Sequence, residues 1–182
     1  MGFERDDVVI LQPTRAIGRK NVPGALEFAR RLQEALPDRR VQYWITGPAE
    51  DGYGPVLDAL VAGAPVVVRQ GRVARVPDAY AAADLVVLPS TWEGFGNPMV
   101  EAAIARRVVV AGEFPVRAEL EALGLRFLSP DSVDNAAAWV RAPDEAWLDA
   151  NVNAVRRHLD LRSLPRRLGD ALRRVDMVET SK

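Results

Sequence analysis

Several residue types are rare or missing in this chain of 182 residues. It has no cysteine, which excludes disulfide bonds and thiolate metal sites. Its single histidine, His158, lies late in a polar helical pattern, and we interpret it as a surface residue with no metal or base role. No run approaches eighteen apolar residues, so no membrane-spanning helix is predicted. The start, Met1–Asp7, also lacks the pattern of a signal peptide.

Lysine is also scarce, with 22 arginines but only two lysines, Lys20 and the terminal Lys182. Coding from a GC-rich genome would produce this preference for arginine. An interior lysine that is retained despite the preference suggests a need for a compact point charge, which arginine does not mimic. The net charge of −1 provides no overall field that would favour a nucleic acid or a membrane as partner.

Short apolar runs alternate with helical patterns along most of the chain, which is the arrangement of an α/β protein with a parallel sheet. The predicted strands are 8–12, 41–46, 66–68, 85–88, 107–111 and 125–128. Because they are apolar on both faces, they belong in a sheet that helices cover on both sides. We predict a single Rossmann-like domain over residues 1–182, with an open parallel sheet of about six strands and a helical C-terminal tail at about 143–176.

The strongest functional signal is a pair of glutamates around a glycine turn, in the stretch EGFGNPMVE from Glu93 to Glu101. A predicted strand ends just before it. Asn97 as a cap and Pro98 as the first helical residue predict a helix that runs to about Arg106. Ligands of open α/β sheets bind beyond the carboxyl ends of the strands. The two acids are therefore placed to bind hydroxyls on different parts of one ligand.

Other interpretations of this stretch have to be weighed. Each glutamate by itself is typical of a solvated acid, and Glu101 would be favoured by the positive end of a helix. Gly94-x-Gly96 also begins a dinucleotide-binding fingerprint, but Met99 occupies the third glycine position. Taken together, strand, turn, cap and both acids resemble the E-x7-E motif of retaining glycosyltransferases with the GT-B fold, in the GT4 (group 1) family. This resemblance favours a sugar-nucleotide site over an oxidoreductase.

The loop between the first predicted strand and helix carries three cations, Arg15, Arg19 and Lys20, and ends at Asn21, which can cap the helix. A helix start offers free backbone N–H groups and a positive dipole end, both suited to an anion. By itself, the loop is more typical of a solvated basic segment. It resembles the Arg…Lys pair with which the family clamps the donor pyrophosphate, and Arg15 and Lys20 have the family's spacing.

The resemblance implies a role for each residue of the predicted site. Arg15 and Lys20 would stabilise charge on the departing nucleoside diphosphate, and Glu93 would bind the donor hexose; these three are the predicted catalytic residues. Glu101 would accept hydrogen bonds from the ribose diol, since a carboxylate has several acceptor sites and no donor. The other predicted contacts to the nucleotide sugar are Gly47, Val73, Gly94, Phe95, Gly96, Asn97 and Met99. The base is expected near residues 69–73, and neither a metal nor another cofactor is expected.

The resemblance covers about residues 8–175, which corresponds to the C-terminal, donor-binding half of a GT-B enzyme. The N-terminal acceptor domain of the family is therefore expected to be missing. We predict a domain for hexose transfer with retention of configuration that binds donor weakly and turns over little alone. Two alternatives stay open: a non-catalytic nucleotide-binding or interaction module, and a two-carboxylate glycoside hydrolase, in which the basic loop would have no phosphate to bind. A cytoplasmic location is expected, with peripheral membrane attachment of the full-length enzyme left open.

Overall fold

The computed structural model describes the backbone of residues 2–179 and their side chains, except those of 167, 171 and 174–179. Five parallel strands form one sheet in the order β3-β2-β1-β4-β5. They are β1 (Asp7–Gln12), β2 (Arg40–Ile45), β3 (Val67–Gln70), β4 (Leu85–Leu88) and β5 (Val108–Ala111). The predicted α/β class with an open parallel sheet is confirmed. Lys182 lies outside the described residues.

Eight α-helices connect and follow the strands within the described part of the chain. They are α1 (Val22–Ala35), α2 (Gly54–Ala62), α3 (Val76–Ala81), α4 (Asn97–Ile104), α5 (Pro115–Ala122), α6 (Val133–Arg141), α7 (Glu145–His158) and α8 (Leu164–Glu179). In each of α1 to α5 a proline occupies one of the first two positions, where its missing N–H costs no helical hydrogen bond. The last two helices, α7 and α8, form the predicted helical tail. None of the described helices is long and apolar enough to cross a bilayer.

Two hydrophobic clusters pack against the two faces of the sheet. Because side chains alternate along a strand, Val8 and Ile10 belong to the cluster that includes α1 and α6. Val9 and Leu11 belong to the other, which includes α3, α4 and α5. β1 is fully buried as a result. Helices therefore cover both faces, as the apolar strand pattern predicted.

Three predicted details differ from the structure. The sixth strand at 125–128 is reduced to one parallel bridge, from Leu128 to Val110, so the sheet has five strands. In α4, Gly96 rather than Asn97 is the cap residue, and its φ of 77° is one that glycine adopts without strain. The same helix ends at Ile104, before Arg106, because Arg106 turns into the left-handed region with φ 57°.

The strand order places β1 between β2 and β4. From β1 the chain first adds β2 and β3 on one side and then adds β4 and β5 on the other side. Such a reversal opens a crevice at the carboxyl ends of β1 and β4, where open α/β sheets bind ligands. The loops after these two strands carry the basic residues and the first glutamate of the motif. Both predicted clusters therefore lie at the same edge of the sheet.

Candidate functional site

A cleft of about 310 Å³ lies at the carboxyl edge of the sheet. Loops after β1, β2 and β3 contribute to it, together with α3 and α4. Its lining residues are Pro13, Thr14, Arg15, Thr46, Gly47, Arg72, Val73, Val76, Ala79 and Glu101. Four of the predicted site residues thus share one cleft, although they come from four different segments of the chain: Arg15, Gly47, Val73 and Glu101.

Gly47 allows the loops after β1 and β2 to come close together. Its N–H donates to the carbonyl of Thr14 at 3.1 Å. A Cβ at this position would lie 2.4 Å from that carbonyl oxygen and 2.5 Å from the backbone nitrogen of Arg15, so no larger residue fits without moving the backbone. Gly47 therefore shapes the cleft through backbone packing.

Arg15 faces this cleft as an exposed cation with one acidic partner. Its guanidinium donates to Oε2 of Glu50 at 2.6 Å, and the side chains of Arg15 and Glu50 are 48% and 38% exposed. Exposed pairs of this kind contribute little to stability because water screens them. The guanidinium can therefore exchange the carboxylate for another anion at small cost.

Lys20 and Glu93 form a buried ion pair, and neither of them lines this cleft. Lys20 Nζ lies 2.5 Å from Glu93 Oε1, and both residues are 7% exposed. Ser90 donates its hydroxyl to the same oxygen at 2.6 Å. The other oxygen, Oε2, has Arg19 Nη1 at 3.9 Å, beyond hydrogen-bond distance. Glu93 is thus held in place through Oε1 and keeps acceptor capacity on Oε2.

Further contacts connect the loop after β1 to the loop after β4. The backbone N–H of Thr91 donates to the Arg19 carbonyl at 2.9 Å, and Arg19 donates to the Trp92 carbonyl at 3.3 Å. The Arg19 guanidinium also stacks 5.5 Å from the centre of the Trp92 ring. Asn21 caps α1 through Gly24 N–H, as predicted, and donates to the Pro89 carbonyl at 3.0 Å. These bonds hold the loop after β1 against the loop after β4.

Glu101 projects from the first turns of α4 and is exposed, in contrast to Glu93. Its Oε2 accepts a hydrogen bond of 2.7 Å from the hydroxyl of Tyr80. Burial, and then the hydrogen bond to Glu101, raises the pKa of Tyr80 far above its ordinary value. The Tyr80 hydroxyl is therefore protonated at neutral pH and remains a donor to this carboxylate.

The glycine turn between the two acids contains backbone donors without a protein partner. Within residues 2–179, no protein acceptor pairs with the backbone N–H of Gly94, Phe95, Gly96 or Asn97. Met99 differs, because its N–H donates to the Gly96 carbonyl at 2.8 Å and its side chain is fully buried. The turn thus offers a run of free donors before the helix, and Met99 acts in the core.

Phe95 is 57% exposed and, with Asn97, lines a different groove of about 510 Å³. That groove runs along α4, the end of α7 and the turn at 159–162, and it contains neither glutamate of the motif. The side chains of Phe95 and Asn97 therefore do not belong to the cleft that Arg15 lines. Any contact from these two residues to a ligand in that cleft would come from their backbone.

Sequence reasoning missed the partners of the charged residues. A local signal identifies Ser90 as a partner of Glu93, since it precedes Glu93 by three residues in the same loop. Glu50 and Tyr80 lie 35 and 21 residues from their partners, and no spacing rule identifies them. In the part of the chain described, no three His, Cys, Asp or Glu side chains are grouped so that they could hold a metal ion.

Comparisons with known proteins agree on the family. Residues 8–143 match the family model described as glycosyl transferases group 1. A mannosylglucosylglycerate synthase of Petrotoga mobilis is 25% identical over 158 residues, which cover 71% of this chain but only 37% of that enzyme. This chain therefore spans little more than a third of the length of that curated relative.

Two solved structures share the fold. The C-terminal domain of a glycosyl transferase group 1 family protein (LpcC) from Francisella tularensis superposes with a TM-score of 0.63 at 22% identity. That match covers 85% of this chain and 87% of the other. An α,α-trehalose-phosphate synthase (UDP-forming) from Burkholderia vietnamiensis gives 0.72 at 15% identity, over 96% of this chain and 45% of the synthase. The chain belongs to the glycosyl transferases group 1 family and has the Rossmann-like fold of a C-terminal domain of these enzymes.

Proposed function

We propose that this chain is the donor-binding domain of a retaining glycosyltransferase, which takes a hexose from a nucleoside diphosphate sugar. One observation supports the proposal above all others: Arg15 and Glu101, far apart in the sequence, line one cleft at the carboxyl edge of the sheet. A cation and a carboxylate in one cleft match the two polar parts of a nucleoside diphosphate, the phosphates and the ribose diol.

The nucleotide half of the donor occupies this cleft. Glu101 accepts hydrogen bonds from the ribose hydroxyls through the oxygen that Tyr80 does not occupy. The base lies against the apolar wall of Val73, Val76 and Ala79. Arg15 leaves Glu50 and donates to the diphosphate, to which guanidinium groups bind in charge-assisted hydrogen bonds. Each group of the nucleotide then has a partner of matching chemistry.

The hexose half lies towards the loop after β4. Glu93 accepts hydrogen bonds from hexose hydroxyls through Oε2, since Lys20 and Ser90 already hold Oε1. The free N–H groups from Gly94 to Asn97 donate to the sugar or the phosphate. As the bond to the sugar breaks, negative charge grows on the departing diphosphate. Arg15 stabilises that charge directly, and Lys20 contributes by holding Glu93 in place through their ion pair. No step in this scheme assigns a role to a metal ion.

Two structural relatives were solved with the proposed type of ligand. Staphylococcus aureus TarM was crystallised with UDP, and the pneumococcal O-GlcNAc transferase GtfA with UDP and GlcNAc. TarM superposes with a TM-score of 0.71 over 93% of this chain at 15% identity. By analogy, the acceptor would be bound by a second, N-terminal domain. This chain alone would then bind donor weakly and turn over little.

A ligand screen tests the proposal. We expect one of UDP, GDP or ADP to raise the melting temperature, and the matching nucleoside diphosphate hexose to raise it further. Stabilisation by free glycans without any response to nucleotides would instead favour a glycoside hydrolase. If no nucleotide and no nucleotide sugar binds in calorimetry at millimolar concentration, the proposal is wrong.

Two substitutions separate the halves of the donor. Glu101→Ala is expected to weaken binding of the bare diphosphate, because it removes the ribose acceptor. Glu93→Ala is expected to remove mainly the additional affinity for the sugar-bearing donor. Calorimetric titration of each variant with both ligands measures the two effects. Equal losses for both ligands in both variants would contradict the division of roles.

A further inference from the structure

Tyr80 is a buried residue next to the cleft for which the proposed chemistry has no direct use. It is 2% exposed, and its hydroxyl donates to Oε2 of Glu101 at 2.7 Å. The hydroxyl thus reaches from the core to the one acid that lines the cleft.

The position of Tyr80 is fixed from several directions. Its ring packs in the hydrophobic cluster that also contains Met99 and Ala102 of α4. The Arg107 guanidinium donates to the backbone carbonyls of Tyr80 at 2.8 Å and of Ala81 at 3.0 Å, which ties the end of α3 to the start of β5. The hydroxyl of Tyr80 is therefore a donor at a fixed place.

An exposed glutamate would otherwise sample several rotamers, and ordering it on a ligand would cost entropy. A fixed donor on one carboxylate oxygen removes part of this cost before the ligand arrives, and preorganisation of this kind strengthens binding without a new ligand contact. α3, the short helix that contains Tyr80, also supplies Val76 and Ala79 to the cleft wall. α3 thus sets both the wall of the cleft and the orientation of its acid.

We propose that Tyr80 is a positioning residue for ribose recognition: its hydroxyl holds one oxygen of Glu101, so that the other is aimed at the 2′- and 3′-hydroxyls of the nucleotide. This inference rests on the proposed function, because it needs a ribonucleotide in the cleft. It adds that selection of ribose over dideoxyribose depends on a tyrosine that does not contact the ligand.

The test uses Tyr80→Phe, which keeps the ring and its packing and removes only the hydroxyl. UDP, GDP and ADP are each titrated beside their 2′,3′-dideoxy counterparts, which lack both hydroxyls that Glu101 would bind, by calorimetry. For the wild type we expect tighter binding of the ribonucleotide than of its dideoxy form. In Tyr80→Phe the ribonucleotide should lose about two- to tenfold in affinity, the typical contribution of one hydrogen bond, while the dideoxynucleotide changes little. Unchanged dideoxynucleotide binding also reports that the cleft is intact.

Two further variants complete the design. Tyr43→Phe is the matched control, since Tyr43 is fully buried and donates to Gln12 at 2.6 Å instead of to a carboxylate in the cleft. It is expected to keep the preference for ribose even if it melts earlier. In a Glu101→Ala background, Tyr80→Phe should have no further effect on ribonucleotide affinity, because the group that it positions is already gone.

The outcomes are distinguishable. A Tyr80→Phe variant with the wild-type preference overturns the positioning role and leaves the proposed function standing. Equal losses for ribo- and dideoxynucleotides show a structural role only and overturn it as well. If the wild type binds none of the three nucleotides, the proposed function fails, and the inference fails with it.

Discussion

Two of the ion pairs that connect the basic loop after β1 to its neighbours, Lys20–Glu93 and Arg15–Glu50, differ in burial. The Lys20 and Glu93 side chains are 8% and 7% exposed, whereas those of Arg15 and Glu50 are 48% and 38% exposed. Charges removed from water must be compensated by each other and by hydrogen bonds, so the buried pair is fixed. The exposed pair is screened and readily exchanged. Burial therefore separates a cation that organises the site from a cation that is available to a ligand.

The type of cation differs in the same way. Lys20, the single interior lysine in a chain that contains 22 arginines, is the cation of the buried pair. An ammonium is a compact point charge, while a guanidinium is planar and presents five donors that all need partners when buried. The space beside Glu93 and Ser90 suits the ammonium. The structure thus gives a physical reason for a lysine at position 20.

Removing the buried cation has the largest predicted effect. Lys20→Ala leaves the Glu93 carboxylate buried without its closest cation, and we expect a loss of about 3–5 kcal/mol in the free energy of unfolding. Urea denaturation measures the loss. The double variant Lys20→Met/Glu93→Gln should recover most of the lost free energy of unfolding, because the buried carboxylate charge is then gone as well. A loss below about 1 kcal/mol in Lys20→Ala would show that Arg19 replaces the lysine, and that the pair is not the fixed element of the site.

An intermediate effect on stability is expected for a substitution of Gly47, where the loops after β1 and β2 come close together at the cleft. Gly47→Ala places a methyl group 2.4 Å from the Thr14 carbonyl oxygen, so the loops after β1 and β2 must move apart. We expect a loss of about 1–3 kcal/mol in stability from this overpacking, together with weaker nucleotide binding. Gly18→Ala is the matched control, since a Cβ there meets no atom within 4 Å. Wild-type nucleotide affinity in Gly47→Ala would contradict the assigned position of the cleft.

The smallest effects on stability, but opposite effects on binding, are expected for the exposed pair. Arg15→Ala should lower nucleoside diphosphate affinity about tenfold through the lost charge-assisted hydrogen bonds. Glu50→Gln should raise it by about two- to fivefold, because Arg15 is released and one negative charge near the phosphates is removed. Calorimetric titration measures both changes, and melting temperatures should barely move.

Arg141→Ala serves as the matched control for this pair. Arg141 is an exposed arginine beside Asp38, and it does not line the cleft. Its loss should change neither nucleotide affinity nor stability measurably. If Glu50→Gln weakened diphosphate binding, Glu50 would have to act as a ligand contact or loop brace, and the idea that it competes for Arg15 would be wrong.

Sequence patterns predicted several strands and helix caps correctly. β4 begins and ends at the predicted residues, and the predicted cap Asn21 bonds to Gly24 at the start of α1. These features are local, since apolar runs and caps depend on neighbours within a few residues. The end of α4 was less predictable. Its last turn depends on the left-handed conformation of Arg106, which no local signal marks.

The sequence by itself determined the fold class and the two clusters of candidate site residues, because periodicity, caps and motif spacing are local properties of the chain. The tertiary structure alone decided which charge meets which. Lys20 reaches Glu93 across 73 residues, because the sheet order brings β1 and β4 side by side. Tyr80 reaches Glu101 only because α3 and α4 pack on the same face of that sheet. Contacts between distant segments follow from strand order and burial, and neither is contained in local spacing.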